Sequence, residues 1–198
     1  MIRGMFPPPR RPPRWQERLG LRLLLALAPG LPSARARSAP ADLLPFENLS
    51  VSRGRGDGAL SATWYPAYLK PRGAVLLLHP WSSRGRAYFH RGGRIEALRA
   101  AGYHALTVDL PGFGGSGAPY GFHDRAVEDS LALLARKVPG LELFVWGVSA
   151  GGYWAHPVLA RTDQVAGAMF EDVSPHLLEW SWRSAPLGRP AYWLFQRL

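Results

Sequence analysis

Three short apolar runs without alternation, AVLLLH over Ala74–His79, HALTVD over His104–Asp109 and LFVWGV over Leu143–Val148, are separated by stretches of helical spacing. A strand that is apolar on both sides must be covered on both faces, so these runs read as buried strands. Between them, a helical stretch around Ile95–Ala101 ends at Gly102, where glycine can take the left-handed cap conformation. Another, over Asp124–Lys137, sets Ala126, Leu131, Leu134 and Val138 on one side. A helix near Gly151–Arg161, disturbed by Pro157, leads to a last strand over Val165–Glu171. Strand and helix alternating in this way require crossover connections, and hence an α/β architecture with a mostly parallel sheet and flanking helices. Only the start departs from it: Asn48–Ser52 and Leu60–Tyr65 flank a glycine-rich turn at 54–58 and read as a hairpin.

In such sheets the chemistry gathers at the carboxyl ends of the strands. The third apolar run leads into Gly147-Val148-Ser149-Ala150-Gly151, a G-x-S-x-G pattern followed by a helix-compatible stretch. A sharp strand-to-helix turn holds a serine hydroxyl out of the fold and leaves room only for very small residues two before and two after it, here Gly147 and Gly151. The first run leads into His79-Pro80-Trp81, and the second into Asp109-Leu-Pro-Gly-Phe-Gly-Gly-Ser116, a tight glycine-rich turn. Asp109 reads as an anchor for that turn, since aspartate side chains bond locally to turn backbone. His79 reads as a strand-end histidine that orders the loop after it.

These three motifs, in this order on three consecutive strands, resemble the α/β-hydrolase family, and in particular its esterase, lipase and serine-aminopeptidase-like members, over about residues 45–175. The resemblance implies that Ser149 is a nucleophile attacking an ester, thioester or amide to form an acyl-enzyme. It implies that the backbone N–H groups of Trp81 and Ala150 form the oxyanion hole. Pro80 departs from the family pattern by standing in a glycine position; it lacks an N–H, but the donor expected is that of Trp81. Trp81, Phe113, Tyr120 and Phe122 would suit an apolar acyl group, so the expected substrate is a small or lipid-like acyl compound. No cofactor or metal is implied.

A serine nucleophile needs a base oriented by a carboxylate. In the family the acid and the histidine follow the nucleophile on later strands, which this sequence does not contain. After Ser149 the only histidines are His156, on the elbow helix, and His176. His176, with Asp172 (or Glu171) as acid, is the pair that lies past the last predicted strand. The expectation is therefore of a hydrolase truncated at its C-terminal end, with weak or absent turnover by this polypeptide alone. The alternative is an inactive hydrolase that serves as a scaffold or interaction protein.

Composition separates the ends from the middle. Of the net charge of +10, residues 1–40 contribute +7 from eight arginines against Glu17, so the rest carries only +3. That distribution, with Lys70 and Lys137 the sole lysines and no nucleic-acid motif, argues against a nucleic-acid partner. The absence of cysteine excludes disulfides, thiolate metal sites and cysteine nucleophiles. The expected organisation is an Arg/Pro-rich arm with a short hydrophobic helix at 1–40, the hydrolase core at 41–175, and the start of a cap or lid segment at 176–198. Within the arm, residues 14–28 set arginines on one helical face and Trp15, Leu19, Leu23 and Leu27 on the next, a pattern suited to an anionic membrane surface. A signal peptide ending near Ser33–Ala36 and a helix lying on the domain are the competing readings, so localisation stays open between cytoplasm, membrane periphery and secretion. The aromatic tail, with Trp180, Trp182, Tyr192, Trp193 and Phe195, suggests self-association.

Overall fold

A computed structural model describes residues 46–52, 58–82, 84–117 and 123–173; the 1–40 arm, Tyr120, Phe122, His176 and the aromatic tail lie outside them. Among the described residues six strands form one sheet: β1 (Glu47–Val51), β2 (Leu60–Tyr65), β3 (Gly73–Leu78), β4 (Tyr103–Val108), β5 (Glu142–Val148) and β6 (Val165–Glu171), in the order β1-β2-β4-β3-β5-β6. The β1–β2 hairpin and the β2–β4 pair are antiparallel, and β4-β3-β5-β6 run parallel. The expected α/β class and mostly parallel sheet are therefore observed.

Each of the apolar runs becomes a central strand. β3 lies in the middle with all six residues buried, which is why its sequence has no polar side. On one face pack α2 (His123–Lys137) and α3 (Ala150–Leu159), where Ala126, Leu131, Leu134, Trp154 and Val158 meet Leu76, Leu78, Leu106 and Val145. The other face carries a 3-10 segment, Gly85–Gly93, followed directly by α1 (Arg94–Ala100). There Phe89 and Ile95 close over Val75, Leu77 and Ala105. α1 ends as its sequence indicates: the Ala101 N–H bonds to Ala97 O, and Gly102 turns the chain at φ 84°.

Two features depart from the sequence expectation. The 3-10 segment is not legible in the pattern, because its nine residues have no helical period and are held in place by Phe89 and by positive-φ glycines at 85, 92 and 93. Pro157 lies inside α3 rather than breaking it. In the final turn a missing N–H forfeits a single intrahelical bond, and the Ala160 N–H still reaches His156 O.

Candidate active site

The β5–α3 turn is built by close backbone approach. Ser149 has φ 48° and ψ −116°, a conformation rarely adopted by residues other than glycine. Its N–H donates to Glu171 O at 2.8 Å, and its own carbonyl accepts the Tyr153 N–H at 3.0 Å, so strand β6 on one side and helix α3 on the other hold the turn. A Cβ on Gly147 would stand 2.5 Å from Gly152 Cα, and one on Gly151 would stand 2.2 Å from Leu78 O. Both glycines that the pattern marks are thus required, Gly147 to let the helix start pass the strand and Gly151 to seat it against the end of β3. Gly152, which the pattern does not mark, is equally crowded: its Cβ would fall 2.3 Å from Val173 Cγ2.

That seating places the start of α3, with Ala150, against the segment leaving β3, which carries Trp81. Trp81 is half-buried, with its indole edge-on to Phe113 at 5.5 Å and 6.3 Å from Trp154. Phe113 is 5% exposed and belongs to the core cluster with Trp154, so it supports the Trp81 loop from beneath rather than lining an acyl pocket. Trp154 is in turn stacked on His123 at 3.9 Å, and His123 Nε2 bonds to Pro111 O.

Two buried polar side chains tie the strand-end loops to each other. His79 is fully buried; the Leu110 N–H donates to its Nε2 at 3.1 Å, which leaves the ring proton on Nδ1, bonded to Pro80 O at 2.7 Å. Both ring nitrogens are used, and the β3 loop is fastened to the β4 loop. Asp109, also fully buried, accepts from the N–H of Arg86 at 2.7 Å, from the N–H of Gly115 at 2.9 Å and from the Arg86 guanidinium. Its carboxylate fills a cradle so tight that a Cβ on Gly85 or on Gly114 would collide with it. Asp109 is therefore an anchor of the glycine-rich turn. Arg86, whose Nε also donates to Thr63 Oγ1 at 3.0 Å, is the partner that sequence reading did not find. A buried aspartate calls for a cation, but no spacing rule says which of many arginines supplies it.

Burial holds the His79 imidazole pKa below its ordinary 6.5. The unfolded chain takes up a proton as pH falls through about 6.5 while the folded ring stays neutral, so stability is full above that pH and declines below it. Half-buried His104 is shifted the same way by burial, and then by Lys137. Urea unfolding at about pH 7.5 and about pH 5.5 is expected to show the decline, at a slope no steeper than ~1.4 kcal/mol per pH unit for each histidine. His79→Asn, which keeps a donor near Nδ1 but does not titrate, should remove the His79 share of the decline and leave that of His104.

The sequence-predicted acid and base are less concentrated. Glu171 ends β6 with its carboxylate on Arg94 at 2.8 Å, and the Arg94 guanidinium lies over Tyr88 and Trp146, so this side chain is committed to an ion pair. Asp172 follows it, exposed and at φ 53°. His156 is in the last part of α3 with its ring 6.2 Å from Phe170. Ser149 Oγ makes no hydrogen bond to a described residue. Among the described residues there is no cluster of three or more His, Asp or Glu that could hold a metal, and no helix long and apolar enough to cross a membrane.

Solved structures share this architecture. An esterase of Pyrococcus furiosus superposes with a TM-score of 0.64 at 20% identity, over 84% of this chain and 64% of the esterase. A thermostable carboxyl esterase of Bacillus coagulans gives 0.54 at 23%, over 63% of this chain and 43% of that one. An esterase of Exiguobacterium antarcticum gives 0.54 at 16%, over 74% and 58%. The chain thus spans less than two thirds of the length of each, and identities this low speak for the fold alone. Residues 69–187, more than half of the chain, match the serine aminopeptidase (S33) family. With that match across β3 to β6 and the sheet order they form, this chain belongs to the serine aminopeptidase (S33) family of α/β-hydrolases.

Proposed function

We propose that the chain carries the nucleophile and oxyanion hole of a serine hydrolase acting on an ester, thioester or amide through an acyl-enzyme. The observation that carries this reading is the backbone of Ser149, held at φ 48° between a strand and a helix start where only glycine-sized neighbours fit. Ser149 attacks the acyl carbon. The N–H groups of Ala150, at the positive end of α3, and of Trp81 receive the developing oxyanion. Trp81 presents an apolar ring to a small, lipid-like acyl substrate, and residues 14–28 suit contact with a membrane surface that holds such substrates. Asp172 and His176 are the acid and base that the sequence offers after Ser149.

A second reading, a scaffold without turnover, is favoured by the histidines. His79, His90, His104 and His123 each have a ring nitrogen hydrogen-bonded elsewhere, and Ser149 Oγ bonds to none of them. A fluorophosphonate probe on the full chain separates the two. The hydrolase reading expects labelling that disappears in Ser149→Ala and slows by about 100-fold or more in His176→Ala, the usual contribution of a general base. No labelling of the intact chain would leave the scaffold as the better account.

A further inference from the structure

We infer that Arg94 is a positioning residue for the Ser149 nucleophile, acting through Glu171; for its chemistry the inference rests on the hydrolase reading. The parallel β5–β6 ladder ends with Val148 beside Glu171. One further bond carries that ladder into the turn, from the Ser149 N–H to Glu171 O at 2.8 Å. The ends of a ladder open more readily than its centre, so a bond in this place is the first to be lost unless something else holds it. The turn depends on it. Among the described residues, those other than glycine with a positive φ are Ser149 at 48° and Asp172 at 53°. They stand at the two ends of this one bond: Ser149 carries the donor, and Asp172 is the second residue of the accepting peptide. Backbone of this kind persists only where its surroundings over-determine it.

The Glu171 side chain supplies the missing constraint. Arg94, the first residue of α1, donates from Nη2 to Glu171 Oε1 at 2.8 Å. A half-buried ion pair left to itself holds little, because water screens it and both side chains must give up rotamers. Here the guanidinium is already confined. It lies over the Tyr88 ring at 5.3 Å and over the Trp146 ring at 5.8 Å, and both contacts favour the cation. Those rings are fixed in turn, since each meets the fully buried Phe89 edge-on, at 5.4 and 5.9 Å. A line of contacts therefore runs from the core at Phe89 through the rings to Arg94, then to Glu171, and through its carbonyl to the Ser149 N–H. Trp146 lies three residues before Ser149 on β5, so the same guanidinium rests on the strand that delivers the serine and grips the strand that receives its N–H. Both the direction of the Ser149 hydroxyl and the placing of the Ala150 N–H follow from this turn, and misplacement of about 1 Å is enough to cost a reaction up to 100-fold.

Two variants of the full chain separate this clamp from simple packing. Arg94→Met keeps an unbranched stem against the rings and removes the charge; Glu171→Gln keeps the backbone carbonyl and removes the carboxylate. Amide hydrogen exchange at Ser149 can be followed by NMR on protein with labelled serine, its signal assigned as the one that Ser149→Ala loses. In each variant it is expected to quicken by about three- to tenfold, the range that an ion pair held by aromatic rings contributes. The double variant should exchange no faster than the faster single one, because both changes remove the same interaction. Exchange at Ser130, in the middle of α2, should stay as it is, which excludes a general loosening. Labelling by a fluorophosphonate should slow by about the same factor and follow the exchange across all three variants. Unchanged Ser149 exchange in either single variant, or additive effects in the double, would overturn the inference. So would a parent chain that labels at a rate its variants share, since the pair would then hold the turn without serving the nucleophile. A parent chain that takes up no fluorophosphonate counts against the hydrolase reading instead, and the exchange cycle still decides whether Arg94 holds the turn.

Discussion

Asp109→Ala is expected to lower the free energy of unfolding by about 3–5 kcal/mol, the usual cost of breaking a buried ion pair by removing one partner. Three donors lose their acceptor at once: the N–H of Arg86, the N–H of Gly115 and the Arg86 guanidinium, whose side chain is only 13% exposed. The stranded cation is the largest part of the penalty, since water cannot reach it freely. Removing it as well, in Asp109→Ala with Arg86→Met, should therefore recover part of the loss, even though the bond from Arg86 to Thr63 goes too. Urea unfolding followed by tryptophan fluorescence gives both values. With domain stabilities of about 5–15 kcal/mol, a loss of this size removes between about a fifth and the whole of the stability. A loss below about 1 kcal/mol would mean that the pair behaves as a surface bridge and that the two loops are held by something else.

Gly151→Ala is the second large effect, and here two terms oppose each other. Alanine is a better helix former than glycine by about 1 kcal/mol. Against that, its Cβ would lie 2.2 Å from Leu78 O, 2.6 Å from Leu78 C and 2.7 Å from His79 O, all of them backbone atoms of the central strand and its exit. Backbone in the middle of a sheet cannot swing aside as a side-chain tip can, so overpacking wins and a net loss of about 2–3 kcal/mol is expected. For a chain of this size that corresponds to a melting temperature lower by roughly 5–10 °C. Gly117→Ala is the matched control: the nearest atom to its added Cβ is Ala59 O at 3.7 Å, an ordinary contact, and the expected change is within about 0.5 kcal/mol. Equal melting temperatures for the two variants would show that the helix start is free to move off β3.

Much of the fold was legible because burial on both faces writes itself into composition. The strands β3, β4 and β5 fall within a residue of their apolar runs, and β6 coincides with Val165–Glu171. Spatial order was not legible: nothing in the pattern says that β3 lies between β4 and β5, or that β2 pairs antiparallel with β4. At the site, Gly147 and Gly151 could be read because steric exclusion acts at fixed sequence distances. Arg86, Arg94 and Gly152 could not, since each meets a partner brought close by the fold: Asp109 is 23 residues from Arg86, and Glu171 is 77 from Arg94. Phe113 shows the reverse error. An aromatic residue in a glycine-rich loop looks like a pocket wall, but the same ring filled a gap in the core between His79 and Trp154.

The positive φ of Ser149 bears on how this chain can drift. Glycine adopts that backbone without penalty, whereas any residue with a Cβ holds it at about 1–3 kcal/mol. Position 149 is therefore a place where a one-residue change would make the molecule more robust at no cost in packing. A lineage that kept only the shape of this turn would gain by losing the hydroxyl. Serine there is a standing thermodynamic debt, repaid only if the hydroxyl reacts.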